Sequence, residues 1–84
     1  MTQSNIEDSL YKHICDNFPR ARQKDIKMTD SLTESGVGDS LGLLIIVEFV
    51  EATFGITVSD LDIGAENFGS IRAIANYVAR SLDK

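Results

Sequence analysis

The amino-acid sequence predicts a small all-α domain, a four-helix bundle with three longer helices, one short helix and a long loop between the first two. Two segments repeat apolar residues at the three- or four-residue spacing of a helix face, and a third is apolar almost throughout from Leu41 to Phe54. The alternating stretch 56–58 has no second strand to pair with. The 84 residues, 43% of them hydrophobic, suffice for one core, so we expect a single domain over residues 1–84 with its core at about 5–82.

The first helix is predicted over about residues 5–18. Ser4 is the expected N-cap, with Glu7 three residues later completing a capping box, and Pro19 ends the helix. Its core stripe recurs every four residues: Ile6, Leu10, Ile14 and Phe18. His13 and Cys15 lie beside this stripe. A base or a reactive thiol is possible there, but packing at the core boundary is the preferred interpretation.

Residues 19–39 are predicted to form a long connection without regular structure. Such a loop is unusual in a small domain unless it has a role, and Ile26, Met28 and Leu32 are expected to anchor it across the helices.

The second long helix is predicted from about Ser40 to Phe54, with Gly55 ending it. At 100° per residue its core face comprises Leu43, Val47, Val50 and Phe54, while Leu44 and Ile46 fall at the edges. The opposite side is also apolar, and a domain of this size can hardly cover it. We therefore expect this opposite side to bind partners through Leu41, Ile45, Glu48, Glu51 and Ala52. In the alternative, Phe49 and Ile45 pack under the long loop.

Two helical segments complete the chain. Residues 65–68 suit a short helix, and Ser70 is the expected N-cap of the last one. The core stripe of that last helix is Ile71, Ile74, Val78 and Leu82.

The charge is distributed unevenly around a net value of −5. Residues 28–71 hold eight acidic residues and no Lys or Arg, whereas half of all Lys and Arg residues lie between Arg20 and Lys27. Because the remainder is acidic and this basic cluster contains no aromatic residue, a nucleic-acid partner is not expected. One cysteine excludes an internal disulfide, and no metal site is predicted. Without a signal-like start or a membrane-length apolar run, a monomeric cytoplasmic protein is the default expectation.

One motif resembles a known family. Asp39-Ser40-Leu41, an apolar helix, and Phe54-Gly55-Ile56 at the right spacing resemble the acyl and peptidyl carrier proteins, especially the free-standing ones. The resemblance implies that Ser40, flanked by Asp39 and Leu41, carries covalent 4′-phosphopantetheine derived from coenzyme A. It also implies a carrier rather than an enzyme, whose thioester-bound cargo is acyl or aminoacyl. The implied partners are a phosphopantetheinyl transferase, an acyl- or aminoacyl-activating ligase and a downstream transferase or synthase.

Two departures and two alternatives qualify this resemblance. Gly42 and Ile45 stand where fatty-acid carriers usually have acidic residues, which favours a specialised acyl or amino-acid pathway over general fatty-acid synthesis. One alternative is an interaction protein of the same fold that lacks the arm, in which Ser40 is only a helix cap. The other is a small hydrolase, because Gly38-Asp39-Ser40-Leu41 also spells the GDSL hydrolase signature; the general base that such an enzyme needs would have to be His13.

Overall fold

The computed structural model describes residues 2–34, 36–37 and 40–83, and these residues contain helices but no strand. The helices are α1 Gln3–Asn17, α2 Pro19–Lys24, α3 Ser40–Phe54, α4 Ala65–Phe68 and α5 Ile71–Leu82, with a 3-10 turn at Asp60–Asp62. The predicted all-α bundle of three longer helices, α1, α3 and α5, with a short helix before the last, is confirmed. Helix α2 is an addition that the sequence prediction lacked.

Helix α1 begins earlier than predicted. Thr2, not Ser4, is the N-cap: its backbone is extended and its hydroxyl accepts from the Asn5 backbone N–H at 3.2 Å. Ser4 lies inside the first turn, where helical backbone angles prevent it from capping. The predicted stripe is confirmed by Ile6, Leu10 and Ile14, which are fully buried.

The expectation of an unstructured segment from residue 19 is wrong at its start. Pro19 ends α1 but also begins α2, because its fixed φ suits the first position of a helix. Ala21 is fully buried, so α2 packs onto the domain. The helix ends where Asp25 adopts a left-handed φ of 51° and the Ile26 N–H bonds back to the Ala21 carbonyl at 3.4 Å, as in a Schellman turn.

The rest of this connection is anchored as predicted. Ile26 and Leu32 are buried, and Met28 packs against the core. The backbone also bonds to the start of α5: the Arg72 N–H donates to the Met28 carbonyl at 2.9 Å, and the Leu32 N–H donates to the Gly69 carbonyl at 2.8 Å. These bonds explain why a segment with little regular structure follows a defined path.

Helix α5 runs antiparallel to α1. Arg72 pairs with Glu7 at 3.3 Å, and the Gln3 side-chain amide donates to Asn76 one turn further along. Ser70 caps α5 as predicted, accepting from the Ala73 N–H at 3.1 Å. The buried residues of α5 are Ile71, Ile74, Ala75, Tyr77 and Val78.

The prediction that Leu82 belongs to the core stripe of α5 is wrong, because 43% of Leu82 is exposed. Leu82 lies at the very end of α5, beyond the buried residues. The apolar spacing of the helix therefore continues past the last residue that is buried in the core.

The connection from α3 to α5 is held by polar contacts. Gly55 ends α3 as predicted with a φ of +70°, and its N–H donates to the Glu51 carbonyl at 3.0 Å. Further along, the Tyr77 hydroxyl of α5 donates to Asp62 at 2.8 Å. Burial, reinforced by this hydrogen bond, raises the pKa of Tyr77.

Candidate functional site: the N-terminus of helix α3

Ser40 is the first residue of α3, and Val37, three residues before it, is anchored in the core. Val37 is fully buried, and its N–H donates to the Leu32 carbonyl at 2.9 Å. Leu32 is in turn bonded to Gly69, just before α5. The start of α3 therefore lies at the end of the bundle where α5 also begins. The predicted role of Asp39 beside Ser40 lies outside the described residues.

The local environment fits a phosphate ester on Ser40. The first N–H groups of a helix have no intrahelical acceptor, and the helix dipole makes this end positive. No acidic residue lies in the first turn of α3 to oppose an anion. An anionic group attached at this end of the helix would therefore be favourably placed.

One side of α3 beyond Ser40 is exposed and apolar. Leu41 is 69% exposed and Leu44 is 54% exposed, while Glu48 and Ala52 are exposed and Ile45 is half-buried. These positions agree with a surface that other proteins can reach. Exposed leucines cost solvation free energy unless something covers them, so two within one turn favour a binding role.

The core face of α3 differs in two positions from the prediction. Val47, Val50 and Phe54 are buried as expected, and Leu43 packs half-buried against the core. Ile46, expected at an edge, is fully buried, whereas Leu44, expected at the other edge, is largely exposed. The buried face of α3 is therefore rotated slightly around the helix axis from the core face that its apolar residues predict.

Glu51, assigned to the partner surface from the sequence, also has a structural contact. Its carboxylate accepts from the Val58 backbone N–H at 2.8 Å, and the residue is half-buried. This bond holds the loop after α3 against the helix.

One flank of α3 contacts α1 through an aromatic pair. The His13 ring stacks on Phe49 with ring centroids 3.8 Å apart and an interplanar angle of 15°, and Phe54 meets Phe49 edge-on at 6.2 Å. Phe49 thus packs against α1. Beside this stack lies a groove of about 350 Å³. Six residues line it: Ser9, Lys12, His13 and Asp16 of α1, and Phe49 and Thr53 of α3.

His13 is held at the core boundary, in agreement with the preferred interpretation. Its Nδ1 lies 3.2 Å from the Asn17 side-chain nitrogen, while its Nε2 is buried without a hydrogen-bond partner among the described residues. Burial lowers the pKa of His13, and nearby Asp16 opposes that shift only in part. The imidazole is therefore kept neutral near pH 7.

Comparison with models of known protein families identifies the family of this chain. The family model for the phosphopantetheine attachment site matches residues 8–78, which include α3 and every described core residue except Ile6. The chain belongs to this family. No solved structure was found to match it.

Membership of the phosphopantetheine attachment site family defines the cofactor and the general role. The cofactor is 4′-phosphopantetheine, attached covalently, and domains of this family carry intermediates without catalysing reactions themselves. They act together with a phosphopantetheinyl transferase and with synthetases.

Two searches of the described residues bear on other kinds of site. None of the helices there combines the length and apolar character needed to span a bilayer. Those residues also contain no cluster of three or more His, Cys, Asp or Glu side chains able to hold a metal ion.

Two features of the site were not predicted from the sequence. One is the exposure of Leu44, which the helical period placed at an edge. The other is the pairing of His13 with Phe49. His13 was expected at the core boundary and Phe49, in one alternative, under the long loop, but nothing in their separate segments indicates that they meet. The only signal in the sequence is that each of the two helices has an aromatic ring beside its core stripe.

Proposed function

We propose that this protein carries acyl or aminoacyl thioesters on a 4′-phosphopantetheine arm attached to Ser40, in a specialised acyl or amino-acid pathway. The observation that supports this most is the position of Ser40 as the first residue of α3, within the region matched by the family. Ser40 there precedes an exposed helix face and lies at the positive end of the helix dipole. Residues 1–84 then act as one carrier domain.

Arm attachment is a substitution at phosphorus, catalysed by an external, magnesium-dependent transferase. The Ser40 oxygen attacks the β-phosphate of coenzyme A and forms the new P–O bond. The bond to adenosine 3′,5′-bisphosphate breaks, that nucleotide leaves, and the serine proton is released. The carrier contributes the hydroxyl and the docking helix, and the transferase contributes the catalysis.

The partner surface in this proposal comprises Leu41, Ile45, Glu48, Glu51 and Ala52. Leu41, Glu48 and Ala52 are exposed, which supports their inclusion. Leu44 is 54% exposed on the same helix and extends the apolar part. An acyl- or aminoacyl-activating ligase and a downstream transferase or synthase would each dock here in turn, beside the arm.

Intact-mass spectrometry tests the proposal directly. The purified apo protein is incubated with coenzyme A and a phosphopantetheinyl transferase of broad specificity. We expect the wild type and a Ser81→Ala control to gain the mass of one arm, and Ser40→Ala to gain nothing. A mass gain that persists in Ser40→Ala would place the attachment site elsewhere. No gain in the wild type would favour an interaction protein without the arm.

The geometry of His13 argues against the hydrolase alternative. A serine hydrolase needs a base in hydrogen-bond reach of the nucleophile. His13 instead stacks on Phe49, nine residues further along α3 and therefore roughly 14 Å from Ser40 along the helix axis. Its Nε2 is buried, and its Nδ1 faces Asn17. Turnover of a simple ester such as p-nitrophenyl acetate by the wild type, lost in Ser40→Ala, would restore that alternative.

A further inference from the structure

The groove between α1 and α3 has the features of a small ligand site, and the carrier function proposed above assigns it no role. Its volume of about 350 Å³ lies at the lower end of the range for ligand pockets, which is roughly 300–1,000 Å³. The stacked rings of His13 and Phe49 form its apolar part. Aromatic rings bind other flat groups well, because ring faces and edges attract one another in addition to burying area.

The groove is connected to Ser40 by a continuous apolar stripe. Leu41, Ile45 and Phe49 follow one another at intervals of four residues along α3. Each step turns the stripe by about 40° around the helix, because four residues exceed one turn of 3.6. The stripe therefore starts on the exposed side at Leu41 and rotates until Phe49 contacts His13 of α1.

The distance along this stripe suits an arm attached at the start of the helix. Phe49 lies nine residues beyond Ser40, roughly 14 Å at 1.5 Å per residue, and Thr53 lies one further turn away. 4′-Phosphopantetheine is an extended chain with two amide units, and its thiol is at the far end. Laid along the stripe, it carries its cargo towards the groove rather than into the core.

The polar groups of the groove limit what it can hold. Lys12 and Asp16 lie at the groove without forming an ion pair with any described residue, and Ser9 and Thr53 add hydroxyl groups. Such a surface suits a short, flat acyl group with polar edges better than a long alkyl chain. The inner face of α3, by contrast, is packed into the core, where Ile46 and Val50 are fully buried.

We propose that the groove between α1 and α3 receives the acyl cargo of the carrier, and that this cargo is a short aromatic or otherwise planar acyl group stacked beside His13 and Phe49. The proposal rests on arm attachment at Ser40. Because Leu41 and Ile45 belong both to the stripe and to the partner surface, a docking enzyme displaces the arm from the stripe and frees the cargo for transfer.

The test uses benzoyl-coenzyme A as the donor, so that the transferase attaches arm and cargo in one step. Mass spectrometry first verifies complete loading. Nuclear magnetic resonance then measures nuclear Overhauser effects between the benzoyl ring protons and the side chains of His13, Phe49 and Thr53. A Thr53→Trp variant fills the groove from an exposed position. Thr57→Trp is the matched control, since Thr57 is also exposed but does not line the groove.

We expect contacts from the benzoyl ring to His13 and Phe49 in the wild type and in Thr57→Trp, and their loss in Thr53→Trp. Cleavage of the thioester by hydroxylamine should be several-fold faster in Thr53→Trp than in the other two proteins. A decanoyl cargo should give weaker contacts at the groove than benzoyl does.

Three outcomes would overturn the inference. Contacts from the benzoyl ring to Val50 or Ile74 would place the cargo in the core, and the absence of any contact would mean that the arm is free in solution. Equal contacts from decanoyl and benzoyl would refute the preference for planar cargo. Failure of loading itself would refute attachment at Ser40 rather than the groove, and the mass spectrum detects that separately.

Discussion

Helices α3 and α5 are similar in length, yet they divide their surfaces in different ways. Five residues of α5 are buried, and its exposed positions include Arg72, Asn76 and Arg80, so one face packs and the other meets water. Helix α3 buries its inner face equally well but leaves Leu41 and Leu44 exposed. Stability alone explains the pattern of α5, because its large apolar residues are buried except for Leu82 in its last position. It does not explain α3, whose outer leucines add nothing to the core.

The buried face of α5 should give the largest effect. Ile74 is fully buried, and its truncation in Ile74→Ala should lower the free energy of unfolding by about 2–5 kcal/mol, through lost transfer free energy and a residual cavity. Urea denaturation followed by circular dichroism measures this. Leu44→Ala on the exposed side of α3 is the control and should change the value by less than about 0.5 kcal/mol. Similar losses in both variants would show that the two helices do not differ as described.

The contact of α3 with α1 should depend on pH, through His13. Burial lowers the pKa of folded His13 below the ordinary value of 6.5, so the unfolded chain takes up a proton first as the pH falls. The stability that neutral His13 contributes is thus fully present above about pH 6.5 and is lost as the pH falls through the lower, folded pKa.

Measuring the free energy of unfolding at pH 7.5 and at pH 5.5 tests this pH dependence. The change in that free energy should be smaller than the change caused by Ile74→Ala, because His13 is only half-buried. The wild type should lose stability between these two values. His13→Phe, which keeps an aromatic ring against Phe49 but cannot ionise, should lose clearly less. An equal loss in both proteins would assign the pH dependence to other groups.

The smallest effect on stability, but a large one on function, is expected at the exposed side of α3. Ile45→Glu should leave the melting temperature nearly unchanged, since Ile45 is not among the residues that pack against the core. It should slow loading by the cognate activating enzyme, because apolar contacts are replaced by a charge. Wild-type loading should keep much of its rate at high salt, since apolar contacts are weakly screened.

The experiment compares the loading rates of the wild type and Ile45→Glu at low and high salt, with a thermal melt as control. It separates the role of α3 in partner binding from its role in core packing. The same experiment includes fatty-acid synthase enzymes with basic docking sites, by which the variant should be recognised better than the wild type. Equal loading rates would remove Ile45 from the partner surface. A collapsed melting temperature would place Ile45 in the core.

The parts of the molecule that could be predicted from the sequence are those governed by local periodicity and capping. The stripe Ile6, Leu10 and Ile14, the cap at Ser70 and the end of α3 at Gly55 depend on neighbours within a few residues, and all three were predicted correctly. The carrier family could be recognised for the same reason, since its motif is a contiguous run around Ser40 that needs no knowledge of distant contacts.

Tertiary structure alone decided which apolar residues meet and which remain exposed. A helical wheel placed both Leu44 and Ile46 at the edges of the core face, but the packing of the rest of the chain around α3 buries Ile46 and leaves Leu44 exposed. The stacking of His13 on Phe49, and the groove beside it, joins residues 36 positions apart. The physical reason is that burial depends on what the rest of the chain places against a residue, whereas helix formation and capping depend on the residue and its immediate neighbours.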